Sequence, residues 1–284
     1  MSGADWTLME FVRWTADFFK QHDVPQARLD AELLLAHVLG ASRMDLYMSF
    51  DKPLSEADRA RFRELIRRRA KERVPVAYLT ERREFWSLPF RVTSDVLIPR
   101  PETETLVRVA LDMKPRRLLE IGVGSGCISA ALARELPSVE IVASDVSRGA
   151  LQVARENLDA LGVLDRVTLV EVGELGAIAG SFDLVVSNPP YVASGELLQL
   201  APELRHEPAI ALDGGPDGLD VIRQICADAP ARVERPGAIA LEVGAGQSSA
   251  VVELLRATGA AEVEVFADLA GIPRVVLGRY AESS

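Results

Sequence analysis

From about residue 115 to the end, short apolar runs alternate with stretches long enough for helices, and this alternation constrains the fold more than any other feature. Strands are predicted at 117–121, 139–144, 167–171, 182–187, 237–243, 262–266 and 274–279, and helices at 102–112, 126–135, 147–161, 218–232 and 247–258. Short runs apolar throughout, rather than alternating, suit strands buried on both faces. Helices of this length between them indicate a parallel α/β sheet. No internal repeat or low-complexity tract interrupts the pattern.

The first 75 residues have a different period. Thr7 with Glu10 three residues on is a capping-box pattern, and Leu8, Phe11, Val12, Thr15, Phe18 and Phe19 follow at helical spacing. After Pro25 a second helix is expected through Leu29, Leu33, Leu34, Ala36, His37 and Val38, stopping at Gly40. His37 sits among leucines, so a buried structural imidazole is expected there. Ser55 and Asp58 open an arginine-rich helix that should end before Pro75. Its basic residues, Arg59 to Arg73, read first as a solvated face and second as a contact surface for an acidic or RNA-rich partner. Phe85 to Val92 alternates like a short hairpin, and Ile98-Pro99-Arg100-Pro101-Glu102 is a stiff turn fixed by two prolines.

At 284 residues the chain exceeds what one hydrophobic core usually organises. Three parts are expected: a helical domain over 1–80, a hairpin and linker over 81–100, and an α/β domain over 101–284. With 48% apolar and 26% charged residues, a disordered, collagen-like or coiled-coil chain is excluded. No apolar run approaches the roughly 18–20 residues of a membrane span, and the opening MSGADWTLMEF has no leader pattern. Only Cys127 and Cys226 occur, far apart and without histidine clusters, so a reducing cytoplasm and no metal site are expected. Residues 1–80 carry 13 basic and 12 acidic side chains (net +1), and residues 81–284 carry 19 and 30 (net −11). So acidic a body is a poor general binder of nucleic-acid phosphates.

The first strand of the α/β part runs into Leu119-Glu120-Ile121-Gly122-Val123-Gly124-Ser125-Gly126. Glycines at a strand-to-helix turn let the backbone approach a ligand. The dinucleotide fingerprint fails, because Cys127 stands at its third glycine position. The second strand ends at Asp145, 19 residues after Gly126 and placed to accept two ribose hydroxyls. The fourth strand leads into Asn188-Pro189-Pro190-Tyr191. Pro189 forces Asn188 to be extended, so the Asn188 side-chain carbonyl and the Pro189 main-chain carbonyl can act as paired acceptors for a planar NH2 group. Tyr191 would offer that group an aromatic face. Exocyclic amines of adenine and guanine and the amide of glutamine all meet this description.

The glycine loop resembles that of methyltransferases using S-adenosyl-L-methionine. REFWSLPF at 83–90, IPRPETETLV at 98–107, LLEIGVGSGCISAALA, SNPPY and the closing IPRVVLGRY together resemble the PrmC/HemK family of protein-(glutamine-N5) methyltransferases. The likeness extends through DAELLLAHVLG at 30–40 and so covers nearly the whole chain. It implies a Rossmann-like S-adenosylmethionine-dependent sheet, with the small helical domain joined to it through a β-hairpin. It further implies methyl transfer to the glutamine of the GGQ motif in class I peptide-chain release factors. Gly122, Val123, Gly124, Ser125, Gly126 and Asp145 would bind the cofactor, with Asn188 contacting both cofactor and substrate. Asn188, Pro189, Pro190 and Tyr191 would hold the glutamine amide, with Asn188, Pro189 and Tyr191 as catalytic residues. Glu207-Pro208 and Gly214 to Gly218 match the loop after NPPY, and Arg274 matches an arginine of the last strand, taken as structural.

One segment departs from the family. After the third strand an acid and an aromatic usually flank the adenine ring, whereas here Glu171-Val172-Gly173-Glu174 stands. Counting back from NPPY puts Gly173 at the aromatic position and Val172 at the acid, or Glu171 with a one-residue slip. Gly-Ala-Gly-Gln at 244–247 is read as a helix start. Two other readings compete: an adenine or guanine amino-methyltransferase, which the charge opposes, and a non-catalytic nucleoside-binding protein acting through the arginine-rich helix. Neither a membrane nor a direct nucleic-acid substrate is expected.

Overall fold

The structure, a computed structural model, describes residues 6–172 and 178–282. Its contacts divide the chain into two compact units, 1–82 with 201–206, and 83–200 with 207–284.

The first unit contains α1 (Leu8–Lys20), α2 (Ala27–Leu39), α3 (Arg43–Met48), α4 (Glu56–Lys71) and α5 (Val76–Leu79). The Thr7 hydroxyl accepts from the Glu10 amide while Glu10 accepts from the Thr7 amide, the reciprocal cap expected for α1. α2 stops at Gly40, whose φ of 60° ends the helix in a left-handed turn. Val12, Phe19, Leu34, Leu35, Phe62 and Ile66 fill the core.

Two expectations fail in this unit. His37 is exposed; it shares the rim of α2 with half-buried Leu33 one turn earlier. Arg69 is only 5% exposed, so α4 is not solvated on every arginine. Its Nε donates to Asp30 at 2.8 Å and its Nη1 to Glu203 at 2.8 Å. A charge held away from water needs such partners. Glu32, also buried, accepts from Arg28 and from Arg43 and Tyr47, the last two at 2.6 Å.

The second unit begins within β1 (Arg82–Phe85), which pairs with β2 (Leu88–Arg91) in a hairpin turning through Trp86 and Ser87 at φ 52° and 55°. Positive φ at both central residues matches the twist of a two-residue hairpin but disfavours side chains. Trp86 is held there: its amide donates to Glu104 at 3.2 Å and its indole N–H to Glu135 at 2.9 Å. Asn157 brackets β2, accepting from the Arg91 amide at 2.7 Å and donating to its carbonyl at 2.9 Å.

The remaining elements are α6 (Glu104–Met113), β3 (Arg117–Ile121), α7 (Cys127–Glu135), β4 (Glu140–Asp145), α8 (Arg148–Ala160), β5 (Val167–Glu171), β6 (Phe182–Ser187), α9 (Asp220–Asp228), β7 (Val233–Glu242), α10 (Ser248–Ala257), β8 (Glu262–Ala267) and β9 (Pro273–Tyr280). Seven strands form one sheet in the order β5-β4-β3-β6-β7-β9-β8. β5, β4, β3, β6 and β7 are parallel, and β9 runs antiparallel between β7 and β8. The predicted strand starting at 237 begins at Val233 instead. Pro236 breaks the apolar run, and the register slips from Phe182↔Val233 to Leu184↔Ala238 around it.

Two apolar layers sandwich the sheet. Leu118, Leu132, Ile141, Leu158 and Leu184 belong to one cluster, and Leu119, Val185, Ile222, Ile239 and Val276 to the other. Consecutive residues of β3 thus point to opposite layers, as both-face burial requires. β3 has β4 on one side and β6 on the other, so the order in which strands are added reverses beside it. Ligands of open α/β sheets bind outside the strand ends at such a point.

Candidate active site

The ends of β3, β4 and β6 border a cavity of about 340 Å³, large enough for a nucleoside-sized ligand. Gly122, Val123, Gly124, Ser125, Asp145, Asn188, Pro189 and Pro190 line it. Eight of the residues read from the sequence as site candidates therefore meet in one place. Gly126 and Tyr191 are outside that lining. Gly173 lies outside the described residues.

The glycine loop owes its shape to β4. The Gly122 and Val123 amides donate to the Ser144 carbonyl at 2.8 and 2.9 Å. The Gly124 amide donates to Asp145 Oδ2 at 3.0 Å, and the Ser147 amide to Oδ1 at 2.9 Å. Asp145 is thus oriented by main chain on both oxygens, each keeping a lone pair for a further donor. Gly126 begins α7 at φ 80°, and a Cβ there would stand 3.3 Å from Ala154. Its contribution is close packing of loop against α8.

Glu120 is fully buried and lines the cavity. Ser129 donates to its Oε2, and Oε1 has no hydrogen-bond partner among the described residues. Burial pushes its carboxyl up to about 8, against the Ser129 hydrogen bonds. An orphaned buried oxygen beside a cavity fits a ligand that brings a cationic donor.

After Ser187, whose hydroxyl donates to the Ile121 carbonyl at 2.7 Å, the chain passes through Asn188 into the two prolines. Asn188 Nδ2 donates to Thr103 Oγ1 at 3.2 Å. Tyr191 packs its ring against the cluster holding Leu119 and Ile239. Burial raises its phenol to about 12, so it is neutral near pH 7. Its carbonyl accepts from Gln247 Nε2 at 2.9 Å, and Gln247 Oε1 accepts from the Gly244 amide at 2.8 Å. Gln247 is the N-cap of α10, so the helix start read at 244–247 also ties down the NPPY segment. A Cβ on Gly218 would stand 2.3 Å from the Tyr191 carbonyl oxygen, so that position must be glycine.

Several site residues escaped sequence reading. Arg100 and Thr103 from the proline-fixed turn line the cavity, as do Pro208, Ile210 and Ala211 from the loop after NPPY. Glu207 joins the two segments, accepting from the Ile98 amide at 3.1 Å and from Arg100 at 2.5 Å. The IPRPET and Glu-Pro segments were visible as motifs, but nothing in their spacing said that they meet. On the adenine question, Val172 lines the cavity with Val146, whereas Glu171 pairs with Arg148 at 2.7 Å. Arg274 pairs with Asp268 at 3.0 Å. Among the described residues no group of His, Cys, Asp and Glu could hold a metal, and no helix is long and apolar enough to cross a membrane.

Residues 10–80 match the PrmC N-terminal domain and residues 101–241 the methyltransferase small domain. A doubly covered sheet with its glycine loop, strand-end acid and NPPY segment around one cavity is that of an α/β methyltransferase. Release factor glutamine methyltransferase of Geobacter sulfurreducens is 44% identical over 96% of this chain and 97% of its own. That of Rhodopirellula baltica is 41% identical over 95% of each. The chain belongs to the release factor glutamine methyltransferase family. In fold it also resembles the hMettl16 catalytic domain, solved in complex with a MAT2A 3′UTR hairpin, at TM-score 0.59 and 19% identity over 73% of this chain and 81% of that one. A methyltransferase from Pyrococcus furiosus aligns at TM-score 0.53 and 18% identity over 68% of this chain and 89% of its own.

Proposed function

We propose that this protein transfers a methyl group from S-adenosyl-L-methionine to the side-chain amide nitrogen of the GGQ glutamine in class I peptide-chain release factors, in the cytoplasm. The observation that carries the reading is that Asn188 and Pro189 share one cavity with Asp145 and Glu120. That pairs acceptors suited to a planar NH2 with acids suited to a nucleoside bearing an ammonium group.

The residues present fit the cofactor. Glu120 Oε1 would accept from its ammonium group, the free lone pairs of Asp145 from its ribose hydroxyls, and Val146 and Val172 would cover its adenine. Gly173 remains a candidate for that last contact. When bound, the cofactor supplies a methyl group on a sulfonium, ready for in-line transfer. An amide nitrogen is a poor nucleophile, because its lone pair is shared with the carbonyl. Asn188 Oδ1 and the Pro189 carbonyl would hold both amide hydrogens and stabilise the positive charge that develops as the methyl arrives. Pro190 keeps that pair rigid, and Tyr191 acts from behind by anchoring the segment's end. The methylated, cationic amide nitrogen would be strongly acidic and would release one of its two hydrogens as a proton to water. Positioning therefore does most of the work, and no strong base is needed at the site.

We read residues 1–80 as the docking domain for the protein substrate, 81–100 as the joint and 101–284 as the catalytic domain. One glutamine in a pocket buries far less surface than a specific protein complex needs. The test is labelled methyl transfer with release factor, DNA and ribosomal RNA offered side by side. Label confined to release factor is expected; label in either nucleic acid, with none in release factor, would favour an exocyclic-amine substrate.

A further inference from the structure

Gly-Ala-Gly-Gln at 244–247 reads in the sequence as a helix start, yet its last side chain serves other segments than the helix. We propose that Gln247 is a positioning residue for methyl transfer: its amide fixes the direction of the Pro189 carbonyl, one half of the acceptor pair. The inference rests on the proposed function of Asn188 and Pro189.

Three main-chain groups meet the Gln247 amide. Oε1 accepts from the Gly244 amide at 2.8 Å, while Nε2 donates to the Tyr191 carbonyl at 2.9 Å and to the Gly218 carbonyl at 3.4 Å. A main-chain N–H only donates and a main-chain carbonyl only accepts, so the amide has a single consistent orientation. A carboxylate of the same shape fails here, because it has no hydrogen for either carbonyl. Capping does not explain the side chain. Gln247 occupies the N-cap of α10 but makes no side-chain cap hydrogen bond to that helix, the contact for which Ser, Thr, Asn and Asp are favoured.

The link to Pro189 runs through one peptide plane. The Tyr191–Val192 peptide is held at both polar groups: Gln247 binds its carbonyl, and the Val192 amide donates to the Leu212 carbonyl at 2.9 Å. Just before it, the Pro190 ring removes rotation about its own N–Cα bond, so few torsions separate the held plane from the Pro189 carbonyl. On the other side, Asn188 follows directly from β6, which β3 and β7 fix in register. The acceptor pair is thus clamped between a strand end and a pinned peptide. The Gly214 amide also donates to the Val192 carbonyl at 2.8 Å. Ile210 and Ala211, which immediately precede Leu212, line the cavity, so the same stitching places part of its wall.

The test compares Gln247→Glu and Gln247→Leu with wild type in the full-length protein at pH 8. Glu keeps the acceptor for Gly244 and brings a negative charge to a helix N-terminus, which favours the helix; what it loses is both donors. Leu loses every contact. A purely capping role would rank Gln247→Glu with wild type and Gln247→Leu below it. The proposal predicts another order: kcat on release factor falls by about 10- to 100-fold in Gln247→Glu, the scale of a misplaced reacting group, and no further in Gln247→Leu. S-adenosylmethionine affinity by calorimetry should stay near wild type in both. A second measurement needs no substrate. Pro189-Pro190 is the only Pro-Pro pair in the chain. With proline labelled at its 13C carbonyl and 15N, the Pro189 carbonyl alone couples to a labelled nitrogen, and its resonance should shift or double in both variants. An unchanged Pro189 resonance in Gln247→Glu, full kcat in that variant, or a loss of kcat matched by an equal loss of cofactor affinity would overturn the assignment. If wild type itself leaves release factor unmethylated, the proposed function fails, and the carbonyl resonance still decides whether Gln247 governs Pro189.

Discussion

Asp145 Oδ2 accepts the Gly124 amide at 3.0 Å, so the acid closing one strand also shapes the glycine loop that follows its neighbour. Ligand contact and loop geometry therefore depend on one carboxylate. Asp145→Ala should weaken S-adenosylmethionine binding by roughly 1.5–3 kcal/mol, the worth of hydrogen bonds to a charged acceptor. Asp145→Asn keeps an acceptor for Gly124 and should lose less. Calorimetry gives both affinities, and unchanged binding in Asp145→Ala would remove this residue from the site.

Asn188 is the most direct probe of the chemistry. Asn188→Ala should abolish turnover with little loss of stability, because the side chain borders an open cavity. Losing one preorganised electrostatic partner typically costs about 10²–10³ in kcat. Asn188→Asp keeps the shape but changes the charge, and should bind cofactor near-normally while turning over at least about 10-fold more slowly. Steady-state kinetics on intact release factor would show it, and wild-type turnover in the Asp variant would rule out the paired-acceptor account.

Glu120 makes stability depend on pH. Its carboxyl is raised by burial from the usual 4.5 to about 8, so the folded protein holds a proton that the unfolded chain releases. Stability without ligand should therefore be fully present below about pH 4.5 and fall as pH rises through that window, by at most about 1.4 kcal/mol per pH unit for one proton. Glu242, raised to about 7 by burial, adds in the same direction. Urea midpoints at pH 5 and pH 8 should fall less in Glu120→Gln than in wild type. Equal falls would mean that Glu120 is not protonated in the folded state.

Arg69 and Arg67 share α4 but not its environment. Arg69 is 5% exposed and faces buried Asp30, so Arg69→Ala strands a carboxylate and should cost about 3–5 kcal/mol. Arg67 pairs with Glu64 and Glu72 at the surface, and Arg67→Ala should change stability little. Thermal melts of the two variants decide it; equal shifts would contradict the burial of the Arg69 pair.

This contrast shows where sequence reading succeeds and where it stops. The predicted strands 117–121, 167–171 and 182–187 coincide with β3, β5 and β6. β3 and β6 were legible because central strands buried on both faces are mostly apolar, and β5, at the sheet edge, because its β-branched and apolar run is short and bounded. The glycine loop, Asp145 and NPPY were legible for a related reason: each is a local conformational requirement written in consecutive residues. Long-range polar pairing leaves no such trace. Arg69 looks like its neighbours until Asp30 and Glu203 are brought against it, and His37 looks buried until the rim of α2 is known. Thr103 read as one letter of a turn. Its meeting with Asn188 depends on how the proline-fixed turn packs against the end of β6, which spacing along the chain does not encode. Tyr191 was expected to face the substrate, but its ring packs into the apolar layer and its carbonyl is held by Gln247.

Deleting residues 1–80 tests the proposed division of labour. All the cofactor-site candidates lie beyond residue 100, so the shortened protein should bind S-adenosylmethionine. Having lost docking surface, it should methylate release factor poorly. Calorimetry and kcat/KM measure the two properties separately, and full kcat/KM from a folded truncation would show that the helical unit is dispensable for the substrate.

The central claim is that the acceptor pair of Asn188 and Pro189 presents one glutamine amide to the methyl donor. Peptide mapping by mass spectrometry of release factor treated with wild-type enzyme tests it most directly. The account predicts a single added methyl group on the side-chain nitrogen of the GGQ glutamine, absent when the enzyme carries Asn188→Ala. A methyl group on any other residue, or the same modification made at full rate by Asn188→Ala, would contradict it.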